Sequence, residues 1–204
     1  MTPKLSVLIP AWEQEVLVIR ALDSIPRRGD VEVVVCDDGS TDRTLENLLR
    51  YQEENHSLNL RVYSNGENRG AAYTFNKLIS LANGEYFHLM GNDDTVITDA
   101  YSGLIDNLYG VDVMCFDLRI NTGEVFRLTE ESKMYYCAQI CRFIRKAFVE
   151  GIAFPEDITA VNDWYFAVDM EKRSPNTRFT GVVAYNYNFP REGSLSDLHR
   201  RGLA

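Results

Sequence analysis

The sequence predicts an α/β fold: one domain with a mostly parallel central sheet flanked by helices. Two observations carry this reading. Over residues 5–118, short apolar runs of strand length alternate with segments whose apolar residues recur at helical spacing, the pattern of successive βα units. The composition is that of an ordinary globular chain, with 204 residues, 45% hydrophobic and 25% charged.

Residues 5–9 form the first expected strand. Val18, Ala21, Leu22 and Ile25 follow at i, i+3, i+4, i+7, a helix stripe ended by Pro26 and Gly29. Residues 31–36 give a second strand, Leu45, Leu48 and Leu49 a second helix, and residues 60–63 a third strand. Phe75, Leu78, Ile79 and Ala82 line a third helix, closed by Asn83-Gly84. Residues 85–90 form a fourth strand. Thr98 is the expected N-cap, with Asp99 in the first turn, of a helix whose inner face is Tyr101, Leu104, Ile105 and Leu108. A strand over residues 111–118 completes the regular part.

From about Asn121 the rhythm breaks. A hairpin at Asn121-Thr122-Gly123 is expected, then a mixed segment through Phe154-Pro155, a helix over residues 162–172 burying Val161, Trp164, Tyr165 and Val168, and a late strand over residues 178–187. With no repeat and no linker composition, the second half reads as an elaboration packed on the same sheet. Residues 1–118 are thus the expected ligand-binding half and residues 119–204 its complement.

Charge and composition exclude several classes. Lys and Arg number 21 against 30 Asp and Glu, a net charge of −9 that disfavours nucleic acid as a generic partner. No apolar stretch approaches the roughly 18 to 20 residues that span a bilayer, and the chain reads as cytosolic. Cys36, Cys115, Cys137 and Cys141 lack zinc-type spacing and are expected to be reduced, structural thiols.

In open α/β sheets ligands bind beyond the carboxyl ends of the strands. Here those positions are unusually polar: Pro10-Ala11-Trp12-Glu13, Asp37-Asp38-Gly39-Ser40-Thr41-Asp42, Asn65-Gly66-Glu67-Asn68-Arg69-Gly70 and Gly91-Asn92-Asp93-Asp94. Paired carboxylates repel unless a cation or hydrogen-bond donors compensate them. A hard divalent ion, Mg²⁺ or Mn²⁺, is the simplest compensator, and it would neutralise a diphosphate leaving group. The first loop lacks the glycine-rich turn of dinucleotide-binding oxidoreductases. Nor does it carry the basic phosphate loop that would support a nucleotidyltransferase.

The chain resembles the family 2 glycosyltransferases of GT-A fold. The resemblance rests on residues 6–12, on Val35-Cys36-Asp37-Asp38-Gly39-Ser40-Thr41-Asp42, on Asn68-Arg69-Gly70, on Asn92-Asp93-Asp94, and in family order on residues 151–155, Asn162-Asp163-Trp164 and residues 185–187. It covers about residues 4–190 and implies an inverting, metal-dependent transfer from a nucleotide-sugar, a UDP-sugar, to a glycan or glycoconjugate.

Position by position, the resemblance puts Pro10 and Trp12 on the nucleotide side, with Trp12 in the place of an aromatic that packs on the base. Asp38 takes the place of the carboxylate that accepts from the uracil imide, supported by Asp37. It further implies that Asp93 reaches the ribose hydroxyls, Asp94 binds Mn²⁺ or Mg²⁺, and Arg69 contacts uracil or phosphate. Asp163 resembles the catalytic base, and His199 lies where some relatives place a metal or phosphate contact. Two departures stand out: Gly91 where many relatives have Asp, and Asn162 where Glu is usual. These keep a rival reading open, a nucleotide-sugar-binding module without turnover.

Structural roles compete at each position. Asp37 to Asp42 would suit a turn and helix cap, and Asp93-Asp94 a solvated loop. Asp163 would serve as a first-turn carboxylate facing the helix dipole, and Trp164, Tyr165 and Phe166 as core. His88, alone in an apolar strand, reads as a hydrogen-bonded core residue.

Overall fold

The computed structural model describes residues 2–131, 139–158 and 162–191. Its first half is β1 (Leu5–Ala11), α1 (Leu17–Ser24), β2 (Val31–Asp37), α2 (Thr44–Glu54), β3 (Asn59–Ser64), α3 (Ala71–Leu81) and β4 (Tyr86–Leu89). The rest comprises β5 (Thr95–Val96), α4 (Thr98–Asp106), β6 (Val113–Ile120), β7 (Val125–Phe126), β8 (Arg142–Arg145), α5 (Asn162–Glu171) and β9 (Thr177–Tyr187). Among the described residues the strands form one sheet ordered β3-β2-β1-β4-β8-β6-β9-β5, with β7 hairpinned onto β6. The β3-β2-β1-β4 half is parallel. The other half is mixed: β8 runs antiparallel to both β4 and β6, and β9 is parallel to β6.

Side chains of the inner strands divide between two apolar layers. Leu5, Val7 and Ile9 on β1 and Val31, Val33 and Val35 on β2 pack with Val18 and Leu22 of α1 and with Tyr101 and Ile105 of α4. Leu8, Val34 and Cys36 turn to the opposite face, where Leu78 of α3 and Phe166 and Met170 of α5 cover them. Burial on both faces is why these strands read as unbroken apolar runs. Burial also pushes the Cys36 and Cys115 thiols up to about 11, so both are inert hydrophobes at neutral pH.

Two helix faces and one helix start differ from expectation. On α2 the inner residues are Thr44, Leu48 and Tyr51, whereas Leu49 is 45% exposed. Thr98 is the first residue of α4 rather than its cap, because its hydroxyl donates to the Ser24 carbonyl at the end of α1 (3.0 Å). On α5 the expected stripe through Trp164, Tyr165 and Val168 competes with a second at the same spacing, Asp163-Phe166-Ala167-Met170. The second wins: Phe166, Ala167 and Met170 are buried, and the Phe166 ring stacks on Phe154 with centroids 4.2 Å apart. Trp164 and Tyr165 are consequently exposed, not core. The hairpin falls where expected, with the Gly123 amide donating to Ile120 (2.9 Å). Cys137, Val161, His199 and the pair Tyr135-Tyr136 lie outside the described residues. Among the described residues no helix is long and apolar enough to cross a membrane.

His88 on β4 is fully buried among Tyr101, Phe116, Phe143 and Tyr185. Its Nε2 lies 2.7 Å from the Ile140 carbonyl, which only accepts, so Nε2 carries the proton. Nδ1 then accepts from the Tyr101 hydroxyl at 2.7 Å. Burial drives the imidazole pKa down from 6.5 to about 4. A depressed folded-state pKa contributes stability that is complete above pH 6.5 and is lost as pH falls toward 4. Its full size is about 3 kcal/mol. His88→Gln is therefore expected to melt lower at pH 7.5 yet show a flatter midpoint between pH 7 and 4 than the wild type. Parallel melting curves across that window would exclude His88 as the titrating group.

Candidate active site

Parallel pairing brings four strand ends to one edge of the sheet. Ala11 stands opposite Asp37, and Asp37 opposite Ser64, while the Met90 amide just beyond β4 donates to the Leu8 carbonyl. The polar clusters found in the sequence therefore sit side by side.

The two aspartates after β2 do different work. Asp37 turns the chain: its carboxylate accepts from the Gly39 amide (3.2 Å), the Ser40 amide (3.3 Å) and the Ser64 hydroxyl (3.2 Å). Asp38 reaches across to the β3–α3 loop. Its Oδ1 accepts from Asn65 Nδ2 (2.7 Å) and the Arg69 amide (2.9 Å), and its Oδ2 accepts from the Gly70 amide (2.9 Å) at the start of α3. A carboxylate oxygen has two lone-pair sites, and Oδ2 uses one of them for the Gly70 amide. Gly39 makes this approach possible. Its φ is +71°, and a Cβ there would lie 2.3 Å from the Glu67 carbonyl carbon and 2.5 Å from the Asn68 nitrogen.

The first loop is fastened to the second. Glu13 accepts from the Thr41 amide (2.7 Å) and hydroxyl (2.9 Å), and the Glu13 and Gln14 amides donate to the Ser40 and Thr44 hydroxyls. Asp42 accepts from the Glu15 amide of the first loop (3.3 Å) as well as from the Thr44 amide (2.9 Å), so Ser40, Thr41 and Asp42 serve as loop staples. Pro10 remains within β1, and Trp12, the first residue beyond it, is 51% exposed. The Arg69 guanidinium lies over the Tyr73 ring at 4.3 Å, outside the Asp38 clamp that its own amide helps to form.

Beyond β4, Asp94 is folded back under the turn and is 2% exposed. Its Oδ2 accepts from the Tyr185 hydroxyl (2.6 Å) and its Oδ1 from the Asn188 amide (2.7 Å), while the Tyr185 oxygen in turn accepts from the Gly91 amide (3.0 Å). Burial, and then the neighbouring Asp93 charge, push the Asp94 carboxyl up to about 7. A Cβ on Gly91 would lie 2.3 Å from Asp94 Oδ2. The residue that departs from the resemblance is thus what lets Asp94 occupy this place. Asp93 pairs with Arg191, whose Nε donates at 2.8 Å.

Tyr185, Asn188 and Arg191 escape sequence reasoning in these roles. Tyr185 enters there only within residues 185–187 of the family resemblance, and the other two not at all. The signal that would find them is topological: β9 pairs with β5, in the register Val96 opposite Tyr185, which brings the chain after β9 over the Asp93-Asp94 turn.

Asp163 opens α5, accepting from the Trp164 amide (2.9 Å) through Oδ1, while its carbonyl accepts from Gln139 Nε2 (3.3 Å). Gln139 belongs to a short turn, Gln139–Cys141, whose Gln139 and Cys141 side chains are buried. The approach to α5 is fixed from α3. Asn76 accepts from the Phe154 amide (2.8 Å) and donates to its carbonyl (2.9 Å), and Phe154 stacks on Phe75 and Phe166.

The donor set suits a hard divalent ion. Asp94 is a buried carboxylate with two neutral donors and a like charge beside it, an arrangement that a cation relieves. Among the described residues no group of three or more His, Cys, Asp or Glu converges. Mg²⁺-like ions need one or two carboxylates, with waters and phosphate oxygens completing the shell.

Known proteins share this architecture. A family model described as Glycosyl transferase family 2 matches residues 6–164. The poly(ribitol-phosphate) β-N-acetylglucosaminyltransferase TarS of Staphylococcus aureus is 26% identical over 93% of this chain, which corresponds to 36% of TarS. The crystal structure of S. aureus TarS 1–349 in complex with UDP-GlcNAc superposes with a TM-score of 0.79 at 24% identity, over 94% of this chain and 60% of that one. A mannosyltransferase from Pyrobaculum calidifontis, solved with GDP-Man and Mn²⁺, superposes with a TM-score of 0.74 at 20% identity, over 98% and 61%. The chain therefore spans about a third of full-length TarS and three-fifths of these two structures. The α/β sheet is that of the GT-A enzymes, and with most of its length matched by the family model, this chain belongs to glycosyl transferase family 2.

Proposed function

We propose that this protein is an inverting glycosyltransferase that moves a sugar from a nucleoside-diphosphate donor, a UDP-sugar, to a hydroxyl of a glycan or glycoconjugate. The observation that supports this reading most is the placement of Asp38 and of Asp93-Asp94 beyond parallel strands at one edge of the sheet, with Asp94 buried beside a like charge.

On the donor side, the exposed face of Trp12 supports the base and Pro10 shapes the strand end beneath it. Asp38 Oδ2 accepts the uracil imide proton, with Asp37 holding the turn and Arg69 at the rim. Asp93 binds the ribose hydroxyls, which take the place of Arg191 on its carboxylate and free that guanidinium for the diphosphate. Asp94 holds Mn²⁺ or Mg²⁺, which when bound neutralises the charge developing on the leaving diphosphate. On the acceptor side, Asp163 takes the proton from the attacking hydroxyl while the nucleotide leaves from the opposite face of the sugar, a single displacement that inverts the anomeric carbon.

Four measurements test the reading. UDP with Mn²⁺, at about 100 times its dissociation constant, should stabilise the wild type by about 2.7 kcal/mol and raise its midpoint by roughly 5 to 10 °C. That shift should disappear with EDTA and in Asp94→Asn; a metal-independent UDP shift would remove Asp94 from this role. Asp163→Asn should keep the UDP shift and lose on the order of 10² or more in kcat. Full activity in that variant rules Asp163 out as the base, whereas a wild type that binds UDP-sugar and never turns over favours the binding-module reading. Gly39→Ala should cost at least about 2 kcal/mol, from the left-handed φ and the collision with the 67–68 backbone, and should abolish the UDP shift.

A further inference from the structure

The acceptor side has one feature that packing does not explain. On α5 the buried face is Phe166, Ala167 and Met170, and Asp163 continues that azimuth into the first turn of the helix. At about 100° per residue, Trp164 lies roughly a quarter-turn from Asp163. It is 41% exposed, and Tyr165 beside it is 42% exposed. The two rings meet edge to face, centroids 5.1 Å apart at 84°, so Tyr165 braces the indole in place. Two large aromatic rings thus keep about two-fifths of their surface in water beside the Asp163 position.

We infer that Trp164, braced by Tyr165, is the surface on which a pyranose ring of the acceptor stacks, so that the acceptor is a neutral sugar residue presented to Asp163. This rests on the proposed transferase reading. Two observations support the choice of ligand. An indole face, electron-rich, suits the row of axial C–H bonds on one side of a pyranose. The described residues around the helix start, Glu156, Asp157 and Asp163, are acidic on a chain of net charge −9, which turns away phosphate-bearing or polyanionic acceptors. The aromatic pair is too small a patch for a protein interface, which needs about 800 Å² per partner.

The chain has two tryptophans, one at each half of the site, and this makes the test direct. In Trp12→Phe, tryptophan emission reports Trp164 alone; in Trp164→Phe it reports Trp12 alone. Titration of Trp12→Phe with chitotriose, maltotriose and laminaritriose should produce a saturable emission change for at least one of them, weakened about tenfold by adding Tyr165→Ala. Titration of Trp164→Phe with UDP in the presence of Mn²⁺ should change Trp12 emission, and the trisaccharides should not. No change in Trp12→Phe with any trisaccharide, while UDP still binds Trp164→Phe, overturns the inference. A sugar response without any UDP binding overturns the transferase reading instead.

Kinetics separate recognition from structure. Trp164→Ala should raise the acceptor KM about tenfold and leave donor hydrolysis in water unchanged, with Trp164→Phe recovering part of the loss. An equal fall in hydrolysis and transfer would mean that Trp164 merely supports the helix.

Discussion

Everything at the strand edge depends on the carboxylate of Asp38. Three donors from one loop converge on it, two of them backbone amides beside the first turn of α3. Without it, the β3–α3 connection would lose the bonds that hold Asn65, Arg69 and Gly70 against the β2–α2 turn, and two amides would be left without a partner in a partly buried place. Such orphaned donors cost roughly 1–3 kcal/mol each. The clamp closes only because residue 39 has no side chain, so the hydrogen bonds and the missing Cβ act as one device. The Asp-Asp-Gly order is then a mechanical requirement: one carboxylate to turn the chain, one to seize the neighbouring loop, and a gap for that loop to enter.

The opposite edge of the sheet is fixed by a second buried charge. Glu32 on β2 accepts from the Ser6 hydroxyl, from both nitrogens of Asn83 and from Arg61, while the Gly84 amide donates to Ser6. Burial favours the neutral form of Glu32, yet these donors outweigh it and leave the carboxyl below its ordinary range. The parallel strands are thus pinned by one acid at each end. Between them lies continuous apolar packing.

Legibility in the sequence followed how local each signal was. The parallel half could be read because each strand is a short apolar run and each crossover a single stripe; Asp37, Asp38, Asp93 and Asp94 could be flagged because they directly follow such runs. The α5 face was not decidable from periodicity, since two stripes of equal spacing run through residues 161–170 and the deciding partner, Phe154, comes from a segment without regular pattern. Tyr185 and Arg191 lay beyond reach for a related reason. They meet Asp94 and Asp93 only after β9 has inserted beside β6 and paired with β5, a contact about 90 positions away along the chain. Thr98 illustrates the same competition on a smaller scale, its hydroxyl drawn from a local cap to a distant carbonyl.

Helix α3 acquires a meaning from its two attachments. Asp38 fixes it at Gly70, and Asn76 on the same helix grips the Phe154 backbone. Six residues separate these points, a rise of about 9 Å that a single stretch of helix sets and nothing else adjusts. The helix is in this sense a calibrated spacer between the Asp38 loop and the approach to α5. Loops elsewhere are free to lengthen or shorten over evolutionary time without disturbing that interval. One residue added between the two anchors would turn the grip of Asn76 by about 100° and uncouple the two, which makes this short segment the part of the molecule least able to tolerate a change in length.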